Sequence, residues 1–149
     1  MNNRFKMIAF KMIASSYLFL LKDGRILLSL RSQTGYEDGN YSLPAGHVED
    51  GETLIGCLIR EAKEEIGIDI DKNDISLVYV MHRKETDIRM DFFFTTTKWA
   101  GTPTNCEPQK CDDLSWFALN ALPENTVGYI RAAIEGWRKG EIYQERGWD

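Results

Sequence analysis

The chain has 149 residues, with 18 Lys and Arg against 23 Asp and Glu, a formal net charge of -5 and a sequence pI of about 5.1. That length suits one domain over residues 1–149, and 43% hydrophobic and 11% aromatic residues are the composition of a globular chain rather than a disordered one. The acidic balance excludes passive, backbone-driven binding to DNA, RNA or an anionic membrane, but not a small polyanion bridged to the protein by a cation.

Arg4 and Lys6 precede an apolar stretch from Met7 to Leu21. Lys11 interrupts it and no small-residue cleavage site follows, so neither a signal peptide nor a membrane span is expected. Met12–Leu21 is predicted as a strand rich in β-branched and aromatic residues. Asp23-Gly24 is a hairpin signal, and Arg25–Arg31 is the returning strand. Ser32–Asn40 is a polar loop. Tyr41–Leu43 is a short strand stopped by Pro44, and Ala45–Gly51 a second loop.

Glu52–Ile66 is predicted as a helix stopped by Gly67. Ile75–Arg83 and Ile88–Trp99 are two more strands, followed by a loop over Ala100–Lys110 and a short aromatic strand over Leu114–Leu119. Thr126–Arg138 is an amphipathic helix with Val127, Ile130, Ile134 and Trp137 on one side. Strands mixed with two helices make an α/β layered domain. Three cysteines, Cys57, Cys106 and Cys111, are an odd number in a chain too large to need disulfides, which points to a reducing, cytoplasmic setting. A zinc site on Cys106, Cys111 and His82 lacks a fourth ligand at a supporting spacing.

The informative segment is Gly46–Ile68. At 100° per residue, Ile55, Leu58, Ile59, Ala62 and Ile66 fall on one arc, a core-facing stripe. Glu61, Glu64 and Glu65 fall on a second arc at spacings i, i+3 and i+4. In a cleft, three like charges this close need protons or a hard cation to offset their repulsion. An all-oxygen ligand set favours magnesium or manganese over zinc.

With its flanks, this segment resembles the Nudix box, G-x5-E-x7-R-E-U-x-E-E-x-G-U with U apolar. Gly46 is followed after five residues by Glu52, and after seven more by Arg60-Glu61-Ala62-Lys63-Glu64-Glu65-Ile66-Gly67-Ile68. Nine specified positions are met, Ala62 being a small occupant of the first apolar one. The approach Tyr41-Ser42-Leu43-Pro44-Ala45-Gly46 and the late Trp116-Phe117 strand resemble the MutT-like branch, although many such chains carry glycine where Ala45 stands.

The resemblance implies a Nudix fold, an α/β/α sandwich with a mixed β-sheet and a loop-helix-loop catalytic motif. It implies a divalent-metal-dependent pyrophosphohydrolase that directs a metal-activated water at a nucleoside triphosphate or a related nucleoside diphosphate derivative, releasing a monophosphate. By position, Glu64 and Glu65 ligate Mg2+, with Mn2+ as substitute. Glu61 is a further ligand or the general base, and Gly46 contributes its backbone carbonyl. Arg60 orients Glu61, and Glu52 supports the loop. Glu107 is the leading choice for a base outside the box, ahead of Asp91 and Glu85. His47 lies beside the phosphates, Arg31 and Arg83 are phosphate or base contacts, and Tyr41 stands with Tyr36, Phe93, Trp99 and Trp116 among the aromatics able to stack on a base. Cys57 fills a small-residue position and is no nucleophile. The expected partner is a small nucleotide, not a nucleic-acid polymer or a membrane; the family also admits a homodimer. The alternatives are an ADP-ribose or sugar-nucleotide pyrophosphatase, and a nucleotide-binding Nudix module without turnover.

Overall fold

The computed structural model describes residues 9–149, so Arg4, Lys6 and Met7 of the N-terminal apolar stretch lie outside the described residues. Its elements run β1 (Ile13–Phe19), β2 (Leu21–Lys22), β3 (Arg25–Arg31), β4 (Tyr41–Ser42), β5 (Ala45–His47), α1 (Leu54–Ile66), β6 (Ile75–Lys84), β7 (Ile88–Thr96), β8 (Cys111–Ala118), α2 (Gly128–Arg138) and β9 (Tyr143–Arg146). One mixed sheet has the order β5-β1-β7-β6-β9, with β1 parallel to β7 and β6 parallel to β9. In the second, β3 pairs antiparallel with β2, β4 and β8.

Strand β1 explains the layering. Its side chains alternate across the sheet, so Tyr17 and Phe19 join one core cluster while Leu18 and Leu20 join the other. The first cluster packs under α2 through Ile130, Ala133 and Ile134; the second packs under α1 through Leu58, Ala62 and Ile66. A sheet buried on both faces between two helices is the α/β/α sandwich expected from the sequence. Each fully buried Leu, Ile or Phe contributes about 1.5–3 kcal/mol, so the two clusters carry the fold.

The turn forms as predicted, with φ of 52° at Asp23 and 73° at Gly24 and Lys22 paired to Arg25, but the expected strand Met12–Leu21 divides, β1 joining the first sheet and only β2 pairing with β3. The other boundaries move for local reasons. Helix α1 begins at Leu54 and not at Glu52, because the Thr53 hydroxyl accepts the Gly56 N–H at 2.9 Å and caps the helix. Gly67 closes it at φ 71°, its N–H donating to the Lys63 carbonyl. Helix α2 begins at Gly128, because Thr126 folds back on the Pro123 carbonyl in a turn. Strand β7 stops at Thr96, whose hydroxyl turns to the Lys98 carbonyl.

Two strands are additions to the sequence reading. Ala45–His47, expected as loop, pairs antiparallel with β1 through Ser15–His47, Ser16–Gly46 and Tyr17–Ala45. Strand β9 runs along β6, and beyond it Trp148 donates its indole N–H to the His82 carbonyl at 3.1 Å. Both strands are short and lack a run of β-branched residues, so their structure comes from the neighbouring strand. No helix among the described residues is long and apolar enough to cross a membrane.

The Thr53 cap stands outside the core and the carboxylate face. Thr53→Ala is expected to lower stability by about 1 kcal/mol in urea denaturation. A loss below a few tenths of a kcal/mol would show that tertiary packing alone sets the start of α1.

Candidate active site

Strand β5 places the Gly46 backbone directly against α1. A Cβ at Gly46 would overlap the Glu61 carboxyl group, so glycine lets the strand approach while Glu61 keeps its place on Arg60. The next position matters too: the Ala45 N–H donates to Glu65 Oε2 at 3.0 Å. Because Ala45 acts through its backbone, a methyl group in place of hydrogen leaves this contact intact. Strand and helix are thus joined through the carboxylates themselves.

Arg60 organises the rest of the face. Its Nε and Nη2 donate to Glu52 at 2.6 and 2.9 Å, its Nη1 donates to Glu61 at 2.7 Å, and it reaches Glu64 at 3.3 Å. Glu49 lies at 3.7 Å. The hydrogen bonds from Arg60 lower the Glu52 carboxyl to about 2. Glu52 also accepts the Glu49 N–H, tying the 48–53 turn to the helix.

Glu61 and Glu65 adjoin one another. Burial raises the Glu65 carboxyl well above its ordinary range, and the neighbouring Glu61 charge raises it further; burial also raises Glu61, against the pull of Arg60. Cys57 sits beneath them, buried, its Sγ 3.4 Å from the Gly46 carbonyl, with its thiol pushed up to about 11 chiefly by burial. It fills space and is no thiolate.

Glu107 belongs to the same place. Its loop docks on the end of α1, where the Cys106 N–H donates to the Glu65 carbonyl at 3.0 Å and the Thr104 N–H to the Ile66 carbonyl at 2.9 Å. Glu107 lines the cavity with Glu61, Glu64 and Glu65, its charge acts on Glu65, and Lys110 stands 3.8 Å from it.

This cavity, of about 610 Å3, draws its walls from both sheets and α1. Arg31 and His47 line it. Arg31 is held by neutral partners, the Tyr36 carbonyl at 2.7 Å and the Thr34 hydroxyl at 3.1 Å. Tyr41 is not in the lining: its hydroxyl donates to Asp113 at 2.6 Å and its ring packs edge-on against Phe117. Arg83 is also outside it, 2% exposed, bonded to Asp91 at 2.7 Å and to Glu85. That pairing occupies Asp91 and Glu85 too. Phe93 is buried in the core, and Trp99 packs with Trp116 away from the cavity.

Sequence reasoning passed over Ser15, Tyr17, Arg89 and Tyr129, which also line the cavity. They carry no motif. The alternation of β1 puts Ser15 and Tyr17 on one face, and that signal alone was readable.

Among the described residues, no group of three or more Asp, Glu, His or Cys side chains is arranged to hold a metal ion; Glu61 and Glu64 both bond Arg60. His82 packs on Trp148, and Cys106, Cys111 and His82 are not grouped as metal ligands among the described residues; Cys57, Cys106 and Cys111 are free thiols. What fits a cation is the adjoining pair Glu61 and Glu65, two carboxylates in a partly buried setting that ionise together only with compensation.

A family model for the NUDIX domain matches residues 11–135. The chain belongs to the Nudix hydrolase family. It is similar to the NAD-capped RNA hydrolase NudC of Stutzerimonas stutzeri, 30% identical over 111 residues, covering 74% of this chain and 38% of that protein. The NudC of Chromobacterium violaceum is 32% identical over 111 residues, covering 74% and 40%. The chain thus spans about two fifths of the length of these curated relatives. Among solved structures, the MutT NUDIX hydrolase of Burkholderia pseudomallei superposes with a TM-score of 0.77 at 28% identity, covering 84% of this chain and 97% of that one. The MutT protein of Methanosarcina mazei superposes at 0.76 with 21% identity, over 90% and 98%, which supports the Nudix fold alone.

The Nudix carboxylates carry a pH signature. Raised carboxyl groups favour the folded state while protonated, so this contribution is present below about pH 4.5 and is lost as pH rises through the folded values of Glu61 and Glu65. Glu52 runs the other way, its contribution present above about 4.5 and lost toward pH 2. In chelator at about pH 8, Glu65→Gln is expected to melt above wild type, with the difference closing toward pH 4. Magnesium is expected to raise the wild-type midpoint more than that of the variant. Parallel melting curves across pH would contradict the assignment.

Proposed function

We propose that this chain is a divalent-metal-dependent pyrophosphohydrolase acting on a nucleoside diphosphate derivative. The observation that carries it is the adjoining pair of Glu61, against Gly46, and Glu65, bonded by the Ala45 N–H, in a cavity that arginines and tyrosines also line. Glu61, Glu65 and the Gly46 carbonyl would hold Mg2+ or Mn2+, with Glu64 joining after release from Arg60. The metal would supply charge neutralisation on the phosphate oxygens and an activated water.

The residues divide the remaining work. Arg60 fixes Glu61 by a charge-assisted bond, which limits its rotation. Glu61 or Glu107 takes the proton as water adds to phosphorus and the bridging P–O bond breaks. Lys110 and His47 line the cavity with the carboxylates and suit the phosphate oxygens. Arg31 has no carboxylate partner among the ion pairs of the described residues and suits a further phosphate. One product is a monophosphate.

The triphosphate is one form of this substrate. The relatives named as NAD-capped RNA hydrolases favour a second, a nucleoside diphosphate joined to another nucleoside or sugar. For this chain we place RNA as an outcome of the substrate panel. Three free thiols suit a reducing, cytoplasmic compartment.

A panel of nucleoside triphosphates, ADP-ribose, NAD and NAD-capped RNA, each with magnesium and then with chelator, tests the reading. Metal-dependent release of a monophosphate is expected, with a loss of about a hundredfold or more in Glu64→Gln and Glu65→Gln. Glu107→Gln is expected to shift the pH–rate profile. Full turnover in the double Gln variant, or turnover indifferent to chelation, would overturn the mechanism.

A further inference from the structure

Residues 32–40 connect β3 to β4, and Arg31 stands at the neck of this loop. The Arg31 N–H donates to the Asn40 carbonyl at 3.0 Å, and the Gly39 N–H donates to the Arg31 carbonyl at 2.8 Å, so the loop closes on Arg31 itself. Gln33 and Glu37 both sit at φ 54°, a region that L side chains rarely adopt. Backbone of this kind persists only where its surroundings over-determine it. The Asp38 carboxylate does so here. It accepts the Thr34 N–H at 3.1 Å, the Gly35 N–H at 2.8 Å and the Thr34 hydroxyl. These bonds, the hydroxyl foremost, hold the Asp38 carboxyl below its ordinary value.

The Thr34 hydroxyl links this network to the cavity. A hydroxyl has one proton to give and two lone pairs to offer. Its proton lies within reach of Asp38 and of the Tyr36 carbonyl at 2.9 Å, and the charged carboxylate is the stronger acceptor. With the proton on that side, the oxygen accepts from the Tyr36 N–H and from Arg31 Nη2, each at 3.1 Å. Arg31 Nε donates to the Tyr36 carbonyl at 2.7 Å, so the guanidinium is gripped at two atoms, and Nη1 has no hydrogen bond among the described residues. Asp38 makes no ion pair with Arg31 among the described residues; its charge is absorbed by the loop N–H groups and the hydroxyl. Arg31 and Thr34 both line the cavity. The loop thus carries an acid and a base close together without letting them cancel.

We propose that Asp38 and Thr34 are positioning residues for phosphate binding: Asp38 orients the Thr34 hydroxyl, the hydroxyl orients Arg31, and Arg31 meets a phosphate of the substrate with its charge uncompensated. This rests on the pyrophosphohydrolase reading, which brings a diphosphate into the cavity. Neither positioning residue belongs to the box. The arrangement suits a polyanion because a guanidinium already held in place loses little freedom when the ligand arrives. An arginine paired directly with Asp38 would have to break that pair first.

Equilibrium binding to the whole chain with magnesium present tests this, with adenosine 5′-(α,β-methylene)diphosphate, which resists hydrolysis, as the probe. Arg31→Gln is expected to weaken binding by about ten- to a hundredfold, the range of one charged hydrogen bond. Asp38→Ala and Thr34→Val are each expected to weaken it by about three- to tenfold, and Thr34→Ser, which keeps the hydroxyl, to bind as wild type. The deciding measurement is the double variant. If Asp38 acts through Arg31, Asp38→Ala adds nothing to the loss already caused by Arg31→Gln. In the wild type, the side-chain N–H signals of Arg31 are expected to shift as the probe is added, a reading that relies on no variant's folding. Additive losses in the double variant would reduce Asp38 to a structural residue and overturn the proposal. So would full affinity in Thr34→Val, full affinity in Arg31→Gln, or Arg31 signals unmoved at saturating probe. Arg31-dependent binding by a protein that hydrolyses no phosphoanhydride would keep the positioning role and sink the hydrolase reading.

Discussion

Among the described residues, Arg60 is the cation that bonds the helix carboxylates, and the site is arranged around it. It bonds Glu52 and Glu61, reaches Glu64 and lies beside Glu49. One guanidinium cannot neutralise that many carboxylates, and it leaves Glu65 outside its reach. The face therefore keeps a residual negative charge where Glu61 and Glu65 meet. Arg60 also gives the acids different roles. Those it binds most tightly, Glu52 above all, are fixed in the turn, while the pair against Gly46 stays unbalanced. The planar fork suits this function, since lysine offers one point charge where five donors in a plane are used.

That imbalance gives the glycine its meaning. Gly46 lets a backbone carbonyl and two carboxylates approach in a space where any side chain would collide with Glu61. The Ala45 N–H then holds Glu65, and the 97–110 loop holds the other end of the helix through the Glu65 and Ile66 carbonyls. Glu107 enters the site because its loop completes the helix terminus, whose last carbonyls have no partners within the helix. One hydrogen-bonding requirement of α1 thus delivers an acid from far along the chain.

The helix face was legible in the sequence because its chemistry is local. Spacings of i, i+3 and i+4 place Glu61, Glu64 and Glu65 together before any tertiary contact is known, and the same periodicity marked Leu58, Ala62 and Ile66 as core. The β2–β3 hairpin and both helices followed from turn and period signals of the same range. Strands β5 and β9 did not, because Ala-Gly-His and a polar tail become strands only beside β1 and β6. The substrate residues failed for a related reason. Arg83 and Tyr41 have the right chemistry for a nucleotide, but burial and partners are set by sheet order, which turns Arg83 to Asp91 and Tyr41 to Asp113. Ser15 and Tyr129 carry no chemical signal until the fold places them on one wall.

The buried pair of Arg83 and Asp91 raises a question of purpose. Taking both charges out of water costs several kcal/mol per ion, and apolar side chains of similar volume in such a place are often neutral or stabilising. Stability is therefore a weak reason for the pair. Its geometry offers a better one. Asp91 accepts from Tyr17, Tyr17 meets Tyr129, and Arg83 lies flat on the Tyr129 ring. An apolar pair would fill the volume but would leave the Tyr17 hydroxyl without its acceptor and the ring without its backing. The charges hold the Tyr129 ring, which lines the cavity, in one orientation, as Arg60 holds Glu61. The same device thus occurs twice, an arginine fixed by carboxylates that in turn fixes a side chain lining the cavity.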